Sequence, residues 1–186
     1  MSKASTDFLS AFHPNGPWVL TAIRTDRKVI RTKTFQPAES AEAARWIARN
    51  NKTDNIYFSV NCPDKPLEKK AEREDIHTIA YLHVDIDARV GEPLDEELTR
   101  IKRLLFEQCP VPQPTFIVYS GGGYQAFWKL QEPVVINGQL EAAQDVAQYN
   151  KQLEVVLGGD NCHNVDRIMR LPGTMNIPNA KKVERG

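Results

Sequence analysis

Ile79-Ala80-Tyr81-Leu82-His83-Val84-Asp85-Ile86-Asp87 is an apolar run that ends in two aspartates one residue apart. It reads as a strand, and side chains i and i+2 of a strand share a face. Asp85 and Asp87 therefore stand side by side, where β-propensity alone would not put them. Two like charges about 4 Å apart repel by roughly 4 kcal/mol at an effective dielectric near 20. A shared proton, a basic partner or a divalent cation must offset that. Clustered carboxylate oxygens suit hard ions, which makes Mg²⁺ or Mn²⁺ the preferred answer. The plain alternative is a strand that runs into a solvated turn carrying two acids.

Downstream of this run, Pro93 opens a predicted helix with Leu94, Leu98, Ile101 and Leu105 on one stripe. Pro114–Tyr119 and Tyr124–Leu130 are predicted strands, and Ser120-Gly121-Gly122-Gly123 between them is short enough to force an antiparallel hairpin. A long helix is expected from about Gly138 to Leu157, with Leu140, Ala143, Ala147, Leu153 and Leu157 inward. Val165–Leu171 reads as a last strand, stopped by Pro172-Gly173. The order is β-α-β-β-α-β, a ferredoxin-like pattern whose first and third strands are neighbours. Upstream, Pro17–Ile23 and Val29–Phe35 read as strands around a turn at Asp26-Arg27-Lys28. A helix starts near Ser40, and Asn55–Val60 is a further strand. The expected fold class is thus α/β (α+β), one domain over 1–186. The upstream α/β elements, about 1–75, precede a β-α-β-β-α-β core of about 76–182.

The chain of 186 residues balances 24 Lys and Arg against 24 Asp and Glu. No global field announces nucleic acid or membrane, although an acidic site and a basic groove would cancel in such a sum. The three cysteines, Cys62, Cys109 and Cys162, form no CxxC pair, and Cys162-His163 lacks the partners of a zinc site. With no secretory signal read at the N-terminus, a cytoplasmic setting is expected. No apolar run approaches the roughly 18 residues of a membrane span.

In the ferredoxin-like arrangement the aspartate strand lies beside the Ser-Gly-Gly-Gly hairpin and near the last strand. Asp166 then faces Asp85 and Asp87 as a third carboxylate, or serves as a cap or a partner of Arg167. Three acids around two cations form a site for in-line displacement at phosphorus. Ser120, Gly121, Gly122 and Gly123 make either a tight hairpin or an anion nest of backbone N–H groups. Gln125 reaches the same anion or is a buried, satisfied amide. By strand parity Arg167 and Arg170 fall on opposite faces, and only Arg170 shares that of Asp166; an arginine there grips phosphate or pairs with Asp166. Asn176 contacts ligand or holds the turn. His83 orients a ligand or is a satisfied core histidine. Lys65, Lys69, Lys70 and Arg73, and again Lys181, Lys182 and Arg185, line a nucleic-acid backbone or form solvated faces.

Three motifs together resemble the archaeo-eukaryotic primase superfamily, in the primase-polymerase branch of phages and plasmids. They are Val84-Asp85-Ile86-Asp87, Ser120-Gly121-Gly122-Gly123-Tyr124-Gln125, and Asp166-Arg167-Ile168-Met169-Arg170-Leu171-Pro172-Gly173-Thr174-Met175-Asn176. The resemblance covers roughly residues 54–182. It implies an RRM-like sheet packed on a second α/β module and template-directed nucleotidyl transfer from nucleotide triphosphates on a DNA template or primer. It further implies Asp85, Asp87 and Asp166 as ligands of two Mg²⁺ or Mn²⁺ ions, with Ser120, the glycines and the arginines on the triphosphate. Many members carry histidine where this chain has Gln125, which keeps a donor without the possible positive charge. Many also place the acid further ahead of the first arginine, where this chain has Asn164, which leaves Asp160 as the alternative third ligand. The chain is expected to begin a longer replication protein, with a helicase domain or subunit as a further partner. A non-catalytic replication-initiator module that binds DNA, a nuclease and a nucleotide cyclase are the competing functions.

Overall fold

The computed structural model describes residues 2–26 and 29–178. The Arg27-Lys28 half of the expected turn and the basic residues Lys181, Lys182 and Arg185 lie outside the described residues. The chain is a mixed α/β fold with two antiparallel sheets. It begins with a helix that the sequence reading passed over, α1 (Ser2–Phe12), followed by β1 (Trp18–Arg24), β2 (Ile30–Phe35), α2 (Ser40–Asn50) and β3 (Asp54–Ser59). The second half contributes β4 (Thr78–Asp87), α3 (Leu94–Phe106), β5 (Phe116–Tyr119), β6 (Gly123–Val135), α4 (Leu140–Leu157) and β7 (Ile168–Arg170). Strand order is β2-β1-β3-β7 in one sheet and β4-β6-β5 in the other.

β4 shows why the two sheets meet. Its alternate residues Val84 and Ile86 pack with Ala126, Trp128, Ile101, Leu105 and Leu157, under α3 and α4. Tyr81, on the opposite face, belongs to the core formed by Phe12, Phe58, Phe127, Trp46 and Met169. Its ring stacks on Phe12 at 3.9 Å between centroids, and its hydroxyl donates to the Phe12 carbonyl at 2.7 Å. α1 earns its place here: Phe8, Leu9 and Phe12 recur at helical spacing and fill the space over Phe58 and Tyr81.

The helices that cover the second sheet depart from the expected stripes at their first turns. Leu94 and Leu140, each the first residue of its helix, are 48% and 51% exposed. Glu97 instead enters the buried face of α3, where Arg89 and Arg100 neutralise it at 2.6 and 2.8 Å. α4 ends at Gly158, whose φ of +69° caps the helix in the left-handed region.

The expected order β-α-β-β-α-β is present, and its first and third strands, β4 and β6, pair antiparallel. The last strand goes elsewhere. β7 pairs with β3 in the N-terminal sheet, Tyr57 opposite Arg170 and Ser59 opposite Ile168. The β4 edge it would have joined is closed by side chains and a loop instead. Asn61 Oδ1 accepts from Ala80 N and Tyr81 N, and its Nδ2 donates to the Tyr81 carbonyl. Asn150 Oδ1 accepts from His83 N, and Asp160 N donates to the Asp85 carbonyl at 2.7 Å. An edge satisfied in this way needs no further strand. β7 thereby stitches the two halves into one fold, because Met169 is buried in the shared core.

Candidate active site

β4 ends where its core-facing side runs out of apolar cover. Tyr81 and His83 are enclosed, and two residues on Asp85 opens into a cavity of about 220 Å³. Its lining includes Asp85 and Asp87 from β4, Ser120 and Gly122 from the hairpin turn, Gln125 from β6, and Tyr57, Arg167, Ile168, Arg170 and Asn176 from the N-terminal sheet and its continuation.

The hairpin turn is fixed by Ser120 N donating to the Gly123 carbonyl at 3.0 Å, with Tyr119 opposite Tyr124. Two of its glycines serve packing rather than the cavity wall. Gly121 sits at φ +100°, where a Cβ would also meet Asn176 Nδ2 at 2.7 Å. At Gly123 a Cβ would collide with the Ile86 carbonyl oxygen, so glycine lets β6 press against the end of β4. Asn176 Nδ2 in turn donates to the Ser120 carbonyl at 3.2 Å.

The basic wall is held from behind. Arg170 donates through Nη1 to Asn55 Oδ1 at 2.8 Å and through Nη2 to the Tyr57 hydroxyl at 3.3 Å, with its guanidinium 5.0 Å from the centre of the Tyr57 ring. Asn55 also clasps the chain after β7, accepting from Ile177 N at 2.7 Å and donating to its carbonyl at 2.9 Å. Asn51 does the same for Met175. Neither Asn55 nor Tyr57 was singled out from the sequence. The trace they leave in the sequence is slight, a polar Asp54-Asn55 pair at the head of β3.

The acidic wall carries an electrostatic cost. Burial pushes the Asp85 carboxyl up to about 6, and the charges of Asp87 and Asp160 push it the same way; a hydrogen bond from Gln125 and the Arg167 charge oppose them. Asp160 does not line the cavity but adjoins this wall, because its Oδ2 accepts from Asp87 N at 3.2 Å. His83 is a satisfied core histidine. Its Nε2 donates to the Cys162 carbonyl at 2.9 Å, Nδ1 faces Asn150 Nδ2 at 3.4 Å, and burial pushes its pKa down to about 4.

Asp166 stands apart from this wall. Residues 165 and 166 form a turn and extended pairing begins only at Ile168, so strand parity does not govern Asp166 or Arg167. The Asp166 carboxylate accepts from Asn164 at 2.9 Å and from Lys70 at 3.1 Å, with Arg73 at 4.0 Å, and does not line the cavity. Burial raises its pKa, but the bonds from Asn164 and Lys70 outweigh that and hold it below the usual carboxylate range. The same turn brings Arg167 and Arg170 to one cavity rather than to opposite faces. Of the basic run, Lys70 is occupied by Asp166 and Lys69 by Glu72 at 3.0 Å. Among the described residues no three His, Cys, Asp or Glu side chains gather closely enough to hold a metal by themselves. None of the helices there is long and apolar enough to cross a membrane.

Among the described residues, four buried side-chain polar atoms have no hydrogen-bond partner, and three belong to this cavity: Asp85 Oδ1, Gln125 Oε1 and Arg167 Nε. Native proteins pair buried polar groups, so three such atoms on residues lining one cavity call for a partner from outside the chain, whether water, ion or ligand.

No family model matches the sequence, and no curated protein matches it. Solved structures do share its fold. The crystal structure of primase RepB′ superposes at a TM-score of 0.61 over 95% of this chain, with 14% identity. This chain spans about half of that one, 51%. The catalytic domain of the same primase, in complex with initiator DNA, superposes at 0.58 over 94% of this chain and 78% of its own length, with 16% identity. The chain therefore has the fold of a primase catalytic domain.

Proposed function

We propose that this chain is a metal-dependent nucleotidyltransferase, a primase or polymerase domain that joins nucleotides on a DNA template. The observation that carries the reading is the set of three unpartnered atoms in one cavity. Asp85 Oδ1 and Gln125 Oε1 ask for a cation and its water or hydroxyl groups, while Arg167 Nε asks for an anion. A cation alone leaves Arg167 unmatched, and an anion alone is repelled by Asp85 and Asp87. A metal-bound triphosphate satisfies both.

Asp85 and Asp87 fit a hard divalent ion, since a cation relieves the repulsion that raises the Asp85 pKa. Mg²⁺ typically takes one or two carboxylates and completes its shell with water and phosphate oxygens, so a third protein ligand is not required. Asp160, against Asp87, is the acid placed to support that pair from behind, in preference to Asp166. Bound there, Mg²⁺ or Mn²⁺ supplies charge neutralisation at the attacking 3′-hydroxyl and the departing pyrophosphate. Arg167 and Arg170 hold phosphate oxygens, and Arg170 arrives pre-aimed by Asn55 and Tyr57. Ser120 and Gly122 border the same phosphates, and Gln125 offers its amide. Positioning is the main work of such a site: the 3′-oxygen bonds to the α-phosphorus as the bond to pyrophosphate breaks. The motif resemblance supports a mobile element's replication protein, of a phage or plasmid, with a helicase domain or subunit beside it.

The test is synthesis on primed and unprimed DNA with ribo- or deoxynucleotide triphosphates and Mg²⁺ or Mn²⁺, alongside melting with and without Mn²⁺. Extension or dinucleotide products, and a rise in Tm with Mn²⁺ that Asp85→Asn removes, are expected. DNA binding without synthesis, unchanged by the aspartate substitutions, would overturn the reading in favour of a non-catalytic initiator module. Cyclised or hydrolysed products would point to a cyclase or nuclease instead.

A further inference from the structure

A second cavity, of about 290 Å³, adjoins the first and shares Tyr57, Arg170 and Asn176 with it. Its other walls are Ile23, Arg24, Thr25, Asn55 and Ile177. Register explains why these meet. Ile23 lies opposite Asn55 and Tyr57 opposite Arg170, and Asn55 and Tyr57 are two apart, so all four side chains share one face of the N-terminal sheet. That face is opposite the one on which Ile56, Phe58 and Met169 build the core. It closes at its far end on the strap of residues 175–177, which Asn51 and Asn55 pin down.

The two cavities differ in chemistry. The first is walled by two carboxylates, two arginines, a serine, a glutamine and a glycine turn. The second is also lined by arginines, Arg24 and the shared Arg170, but Ile23 and Ile177 give it apolar surface beside the shared Tyr57 ring that the first largely lacks. Joined, the two cavities lie within the roughly 300–1,000 Å³ that small-molecule sites span. A ligand with a polyanionic end and a flat, amphipathic end fits such a pair, the flat end against tyrosine and isoleucine and the charged end on the arginines. Arg170 stands at the junction, its guanidinium against the Tyr57 ring on one side and the first cavity on the other.

We propose that the second cavity is the nucleoside subsite: the sugar and base of the bound triphosphate lie along Ile23, Tyr57 and Ile177 while its phosphates occupy the first cavity. This rests on the function proposed above and adds where the rest of the substrate goes. Thr25 and Ile23 face the base end, and Tyr57 marks the sugar–phosphate junction.

The experiment compares two probes, inorganic tripolyphosphate and a nucleoside triphosphate, each titrated with Mg²⁺ present into wild type, Ile23→Trp and Thr25→Trp. Thr25 lies beyond the end of β1, so its substitution keeps the test valid if Ile23→Trp fails to fold. The wild type should bind the nucleotide at least about ten-fold more tightly than tripolyphosphate. Either tryptophan should erase most of that difference and leave tripolyphosphate affinity within about two-fold of wild type. Equal wild-type affinity for both probes, or unchanged nucleotide affinity in the folded variants, overturns the subsite and leaves the proposed function standing. So does loss of single-stranded DNA binding in the variants with nucleotide affinity intact, which would assign the cavity to the template. Failure of the wild type to bind either probe overturns the function itself.

Discussion

Tyr81 and His83 stand on the same face of the same strand as Asp85 and Asp87, yet the two pairs have opposite fates. At the first pair every polar atom is spoken for: the tyrosine hydroxyl by Phe12, the imidazole by Cys162 and Asn150. At the second pair a carboxylate oxygen is buried without a partner and the Asp85 proton is held up to about pH 6. The strand changes from scaffold to site within one residue pair. Burial alone does not mark function here, since His83 is the more deeply buried; the absence of a partner does.

The largest effect that sharpens this contrast is on activity. Asp85→Asn or Asp87→Asn should lower nucleotidyl transfer by about a hundred- to a thousand-fold, the scale of removing a group that organises transition-state charge. The variants should keep wild-type circular dichroism. Tyr81→Phe should leave the rate within a few-fold, because its hydroxyl serves only the Phe12 carbonyl. A Tyr81→Phe effect comparable to that of the aspartates would erase the distinction between the two halves of the strand.

Stability should run the other way. His83→Ala removes a fully buried ring and strands the Cys162 carbonyl, so a loss of about 2–4 kcal/mol is expected in urea unfolding. Asp85→Asn should instead stabilise the metal-free protein by about 1–2 kcal/mol at pH 8, after discounting for its partial exposure. The pH dependence separates them further. The native Asp85 binds its proton more tightly than the unfolded chain, so its penalty appears as pH rises from about 4 to about 6 and is complete above that. His83 is neutral in the fold, with its pKa lowered from 6.5 to about 4, so its contribution is lost as pH falls through that interval. The two slopes oppose one another in wild type. Asp85→Asn should therefore steepen the acid limb between pH 4 and 6 by about one proton's worth. A limb of unchanged slope would mean that Asp85 titrates like an exposed carboxylate.

What the sequence made legible were features that a strand or a tight turn dictates locally. The alternation through Asp87 and the shortness of Ser120–Gly123 left one geometry each, and β4, β5 and β6 pair as expected, although β5 starts only at Phe116 and β6 runs past Leu130 to Val135. The last motif was different. Whether Val165–Arg167 extends a strand or turns depends on the partner, and that partner turned out to be β3, from the other end of the chain. Met169 is drawn into the Phe58 core, while the place beside β4 is already filled by Asn61, Asn150 and Asp160. Non-local pairing of this kind leaves no periodic trace in seven residues. Asn55 and Tyr57 went unnoticed for the same reason: a strand reading registers their alternation, not that an arginine from β7 will sit across from them.

The smallest predicted effect tests that misread turn. Asp166 is itself buried, but Lys70 and Arg73 reach solvent and an amide at this position can still bond to Asn164, so the ion pair contributes about 0–1 kcal/mol. Asp166→Asn should accordingly cost at most about 1 kcal/mol and leave nucleotidyl transfer within about three-fold of wild type. Asp160→Asn should cost more activity, because Asp160 Oδ2 accepts from Asp87 N and its charge acts on Asp85. Its readout beyond rate is the Asp85 titration, which should move down toward the ordinary carboxylate range once one of its two acidic neighbours is neutral. Asp166→Asn should leave that titration where it is. If Asp166→Asn abolished synthesis in a folded protein while Asp160→Asn did not, the third acid would have to be reassigned. The turn before β7 would then have to rearrange when nucleotide binds.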